Sequence, residues 1–251
     1  FMPEFDSDRS DVLARARQAS VEVCITIGYD VESSQRAAGL ADGSGVFACV
    51  AIHPHHAGQA TADSLAQLEA LARRPGVVGI GEIGLDYYRD RSPRDTQALA
   101  FRDQLRLAAR LRLPVAIHDR DAHADTMAIL AAEGEDLPAI VLHCFSGDQA
   151  MAREAWRRGY YLAAGGPLTY PNAPRLREIF QGVPRDLVVL ETDAPYLPPT
   201  PHRGSRSEPA FLRLVAERLA DLWGISPGEV ADITTRNARR AFRLPAVGES
   251  R

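Results

Sequence analysis

The sequence has no lysine: all 29 of its basic residues are arginine. No site can therefore be built on a lysine amine. The bias itself reads as genome composition, although each guanidinium can grip carboxylate or phosphate bidentately. Cysteine is scarce. Cys24, Cys49 and Cys144 are odd in number and lack C-x-x-C spacing, so reduced, buried thiols of a cytosolic protein are the plain reading. No apolar run approaches membrane-spanning length and no stretch reads as a signal peptide, so a cytoplasmic monomer with no membrane partner is expected. A net charge of -4 gives no general attraction to nucleic acid, although a local basic rim stays open. Low-complexity tracts, linkers and fixed-period repeats are missing, which points to a single domain over residues 1–251. Also missing are G-x-G-x-x-G and P-loop motifs, the phosphate cradles of doubly wound sheets.

What is present is ordinary globular composition, 45% hydrophobic and 25% charged over 251 residues, enough for a sizeable core. Apolar runs at 21–27, 46–52, 77–80, 114–117, 139–142, 160–163 and 187–190 read as buried strands. Between them, helical periodicity covers 32–40, 64–72, 92–111, 121–132, 149–158 and 172–181, with further helices over 6–19, 208–223 and from 226. Ser92 before Pro93, and Ser226 before Pro227 with Glu229, read as helix caps. Unbroken apolar strands separated by helices imply a parallel sheet covered by helices. Seven strands are each followed by a helix, and a (β/α)8 barrel needs eight. The expected fold is a TIM barrel whose first strand lies upstream of Phe1. An open doubly wound sheet is the alternative.

The chemistry gathers at the strand ends. His53, His55, Glu82, Asp86, His118, His143, Glu191 and Asp193 all fall at or just past carboxyl ends of these strands. In a barrel those ends share one face, where active sites lie. Imidazole and carboxylate are ligands for Zn, Mn, Co or Mg, and ions so held can activate water against a phosphodiester. A single histidine after a strand can equally be a cap. Glu82 alone could pair with an arginine, and Asp193 could cap the turn at Ala194-Pro195. Asp86 and Tyr87 read as loop residues, His56, His123 and His202 as surface, and Cys144 as core. The convergence of so many ligands carries the metal reading. Arg120, Arg203 and Arg206 sit on the same rim, as phosphate contacts or as solvated charge.

The stretches Gly81-Glu82-Ile83-Gly84-Leu85-Asp86, Ile117-His118, His143-Cys144-Phe145-Ser146-Gly147 and Glu191-Thr192-Asp193-Ala194-Pro195-Tyr196-Leu197 resemble TatD-type metal-dependent deoxyribonucleases. His53-Pro54-His55, Arg203 to Pro209 and Thr235-Arg236-Asn237-Ala238 fit the same pattern, with Ser207 where the family commonly has Asn. The resemblance spans nearly the whole chain in order. It implies a TIM barrel of amidohydrolase type with two divalent ions (Mg, Mn or Zn). Glu82 is then the carboxylate shared by the ions, His118 and His143 complete one site, and Asp193 serves the other and helps activate water. His53 and Arg206 become substrate contacts at the mouth, and Arg120, from its place on the same rim, is read as a third. The family also carries H-x-H at the end of its first strand, which this sequence does not show; the expectation is that strand and motif precede Phe1.

The activity so implied is a 3'-5' exonuclease on single-stranded DNA ends, with a place in DNA repair and no sequence preference, since no base-reading element is visible. Two rivals stand beside it. One is a small-molecule amidohydrolase or phosphotriesterase-like enzyme on the same barrel. Such barrels often bridge their metals with a carbamylated lysine, which this chain cannot supply. The other is a catalytically impaired nucleic-acid-binding protein, supported only by the missing H-x-H.

Overall fold

The computed structural model describes residues 1–43 and 45–244. In chain order the elements are α1 (Arg9–Gln18), β1 (Cys24–Ile27), α2 (Val31–Leu40), β2 (Val46–Val50), α3 (Ala62–Ala72), β3 (Val77–Asp86), α4 (Arg94–Leu111), β4 (Val115–Arg120), α5 (His123–Glu133) and β5 (Ile140–Leu142). There follow α6 (Gln149–Arg157), β6 (Tyr161–Ala164), α7 (Pro174–Gly182), β7 (Val188–Leu190), α8 (Leu212–Trp223) and α9 (Pro227–Phe242). The alternation is that of an α/β fold, with seven strands among the described residues. These residues group into two compact units. One comprises Ile25–His143 with the segment from Arg240; the other comprises Phe1–Cys24 and Cys144–Arg239.

In the first unit the strands follow one another in chain order, with β2–β3, β3–β4 and β4–β5 all parallel. Phe47, Ala48, Cys49 and Val50 of β2 are buried, as are Val115, Ala116 and Ile117 of β4. Burial on both faces is what an unbroken apolar run requires of a parallel strand. Here β3 departs from the sequence reading. The apolar run ends at Ile80, yet the strand continues to Asp86, with a register irregularity between Ile80 and Ile83. Glu82 and Asp86 are therefore strand residues.

Two buried glutamines fasten α4 to two strand ends. The Gln104 amide accepts from Ile52 N–H (2.7 Å) and donates to Ile52 C=O (2.9 Å). Gln97 accepts from Asp86 N–H (2.8 Å) and donates to Ser92 C=O (2.8 Å). Ser92 does not cap α4. The helix starts after Pro93 with no side-chain cap, and the Ser92 hydroxyl instead donates to His55 C=O at 3.1 Å. Its hydroxyl is taken by the histidine loop, so it serves that loop rather than the helix. At α3 the expected start, Ser64, proves to be the third position of a capping box opened by Thr61.

In the second unit β6 pairs with β7 in parallel. Asn237 donates to the carbonyls of Arg185 (2.8 Å) and Val188 (2.7 Å), which pins α9 to the start of β7. Ser226 and Glu229 form the expected capping box before α9. Arg15 of α1 forks onto Glu208 (2.9 and 2.6 Å), and Arg206 forks onto Asp8 (2.9 and 2.6 Å). The Arg206 hydrogen bond holds the Asp8 carboxyl below its ordinary range.

Candidate metal centre

The geometry starts with the glycines of β3. A Cβ at Gly81 would stand 2.6 Å from Ala116 Cβ and 2.8 Å from Ala116 O, and one at Gly84 would overlap His118 O. Gly84 also holds φ at +143°, a conformation that side chains rarely adopt. The close approach that these glycines permit is therefore between the backbones of β3 and β4. It sets Gly84 opposite His118 and Asp86 opposite Arg120.

One oxygen is the focus. Glu82 Oε1 lies 2.5 Å from His118 Nδ1, 3.7 Å from His143 Nε2 and 3.9 Å from His53 Nε2. Glu82 and His118 lie within β3 and β4, and His53 and His143 just past β2 and β5, all in one unit. The other His118 nitrogen, Nε2, faces Asp86 Oδ2 at 3.2 Å, and the same oxygen takes His55 Nε2 at 2.7 Å. Asp86 Oδ1 accepts from the backbone N–H groups of Tyr88 (3.0 Å) and Arg89 (2.7 Å). Asp86 is 1% exposed, so this carboxylate is fully committed.

The electrostatics follow from burial and pairing. Burial alone would raise Glu82, but the neighbouring charges of His143 and His118 and the His118 hydrogen bond outweigh it and hold the carboxyl well below its usual range. Burial would lower His118, but the Glu82 charge and hydrogen bonds to Asp86 and Glu82 raise it to about 9. For His53 burial prevails over the Glu82 charge and pushes the imidazole down to about 3, so it stays neutral. Its Nδ1 accepts from His55 N–H at 3.1 Å, which puts the ring proton on Nε2.

This donor set fits a divalent cation. Donor atoms of His53, Glu82 and His118 all lie within 4.8 Å of one another. His143 Nε2 also reaches the same Glu82 oxygen, at 3.7 Å. Mixed imidazole and carboxylate suit Zn or Mn over an all-oxygen ion. The Asp86 carboxylate behind His118 is the outer partner that orients a ligating imidazole.

The remaining sequence-derived candidates lie as follows. Asp193 and Glu191 follow β7 in the other unit, where Asp193 C=O accepts from Tyr196 N–H at 2.6 Å. Arg206, read as a phosphate contact, has its guanidinium engaged by Asp8 and set 4.5 Å over the Phe5 ring. Arg120 stands over Tyr88. His53, placed by the sequence at the mouth, is buried beside Glu82. Asp86 was readable as more than a loop residue: Glu82, Gly84 and Asp86 keep period-two spacing, which puts both carboxylates on one face of an extended strand. The apparent end of the strand at Ile80 hid it.

Residues 1–243 match the family described as "TatD related DNase". The chain belongs to the TatD-related DNase family. It is 42% identical over 245 residues to the 3'-5' ssDNA/RNA exonuclease TatD of Cronobacter turicensis, covering 95% of this chain and 93% of that one. It is 39% identical over 242 residues to the uncharacterized metal-dependent hydrolase YabD of Bacillus subtilis, covering 96% and 95%. The crystal structure of the TatD homologue YjjV from Escherichia coli K12 superposes with a TM-score of 0.91 at 34% identity, over 97% of this chain and 95% of that one. The chain is thus a TatD-family metal-dependent hydrolase. Its solved TatD-family relatives have the TIM-barrel fold expected from the strand pattern.

A pH prediction arises from this TatD-family centre. His118 carries a proton below about pH 9, and a ligating imidazole must shed it. Its folded value lies above the ordinary 6.5, so the proton competes with the ion at lower pH, and apparent affinity for Zn²⁺ or Mn²⁺ should rise as pH increases from 6 to 9. Calorimetric titration in buffers of different ionisation heat should show roughly one proton released per ion at pH 7. Affinity that does not change with pH across that range would exclude His118 as a ligand.

Proposed function

We propose that this TatD-family hydrolase cleaves phosphodiester bonds of DNA, removing nucleotides from single-stranded 3' ends. The observation that carries the reading is the single half-buried oxygen, Glu82 Oε1, with three imidazoles within 4 Å of it. A relative of 42% identity named as a 3'-5' ssDNA/RNA exonuclease supports the substrate class. Glu82, His118 and His143 hold the ion. An ion so held supplies Lewis acidity, acidifying water and drawing charge from phosphoryl oxygens. The neutral His53 presents its Nε2 proton to a phosphate oxygen. Asp193 is assigned, from its motif alone, to a second ion and to accepting a proton from the attacking water. Asp86 keeps His118 turned toward Glu82.

The test uses a 5'-labelled single-stranded oligonucleotide and the purified chain, stripped with chelator and reloaded with Mg²⁺, Mn²⁺ or Zn²⁺. A ladder shortening from the 3' end, dependent on added ion and absent with chelator, is expected. No nucleotide release with any of the three ions would overturn the reading.

A further inference from the structure

Two adjacent tyrosines follow the β3 carboxylates, and their surroundings differ sharply. Tyr87 is tied down: its hydroxyl donates to Asp125 at 2.7 Å, and Arg94 lies 4.1 Å over its ring. Tyr88 is 57% exposed, and its hydroxyl makes no hydrogen bond among the described residues. Yet its backbone is fixed, because its N–H donates to Asp86 Oδ1. The other oxygen of that carboxylate holds His118, so one buried group sets both the ligand and the ring.

Two guanidinium groups lie over this ring. Arg120 lies 4.3 Å and Arg89 5.5 Å from its centroid. Neither makes an ion pair among the described residues, whereas Arg102, Arg106 and Arg110 on nearby α4 all do. An exposed tyrosine with two uncompensated cations over its ring, beside the centre proposed above to cleave phosphodiesters, has the composition of a single-strand platform: a ring for a base and cations that can turn to the phosphates around it.

We propose that Tyr88 stacks one unpaired base of a nucleic-acid strand, with Arg120 and Arg89 receiving the flanking phosphates. The inference rests on the phosphodiesterase reading above and adds to it the surface that holds the strand. Stacking is indifferent to base identity, so the platform adds affinity without sequence preference.

The test is anisotropy binding of a cleavage-resistant phosphorothioate oligonucleotide, beside a strand of equal length with abasic sugars. Tyr88→Ala should weaken binding of the normal strand about tenfold and of the abasic strand less than twofold. Tyr88→Phe and Tyr88→Trp should stay within twofold of wild type on both, because either ring stacks. Arg120→Gln should weaken both strands and reduce the dependence of log Kd on log salt by about one phosphate contact. Equal losses on both strands for Tyr88→Ala, or no loss on either, would overturn the platform. Failure of wild type to bind the strand would overturn it as well. Binding through Tyr88 without nucleotide release would instead overturn the exonuclease reading and leave the platform standing.

Discussion

Glu82→Gln should abolish ion binding and hydrolysis together while leaving the chain folded. The amide keeps the shape of the side chain and removes the charge on which three imidazoles converge. Loss of an outer partner of a metal ligand costs roughly 10- to 100-fold, and loss of the central ligand should exceed that, to a thousandfold or more in rate. The fold should survive because His118 keeps its second contact, to Asp86. One further sign separates this mechanism from general damage. The Glu82 charge is one of the contacts that raise the His118 imidazole to about 9, so the glutamine variant should bring that value down, as read by NMR titration of the ring protons. Full ion content and activity in the variant would mean that Glu82 holds no ion.

Gly84→Ala should cost the fold itself. The added methyl would overlap the carbonyl of His118, and the backbone there holds a positive φ of 143°. The atoms that the methyl would meet are all backbone atoms of His118, in the paired strand β4, so no side-chain rotation relieves them. A cost of about 3 kcal/mol or more is expected, enough to lower the melting temperature by ten degrees or to prevent soluble expression. Gly39→Ala is the contrast. Gly39 lies within α2 with nothing near its absent Cβ, and the same change there should be neutral or stabilise by about 0.5–1 kcal/mol. A Gly84→Ala chain melting with wild type would mean that β3 and β4 are not so closely seated.

How far the sequence can be read differs between levels. The seven strands and the alternation with helices follow from apolar runs, because a strand buried on both faces has no polar position to disguise it. The candidates that gather around Glu82 were visible for a related reason: imidazole and carboxylate directly after such runs stand out. Geometry that depends on neighbours was not visible. Nothing in the string shows that Ser92 would bond the His55 carbonyl instead of capping α4. Nor does it show that Arg206 would be taken by Asp8, 198 residues away. Asp86 lay between the two cases. Its spacing from Glu82 was legible, but only the extension of β3 past Ile80 turned that spacing into a shared face.

The paired glutamines of α4 restrict something other than energy. Gln97 and Gln104 stand seven residues apart, close to two turns, so both amides leave the helix on one side and reach two different strand ends. Deleting or inserting one residue between them would swing one amide about 100° away from its strand. Chain length in this interval is therefore locked, even though the helix face toward solvent is free to vary in composition. Among relatives that retain both glutamines, substitutions between them should be common and gaps absent.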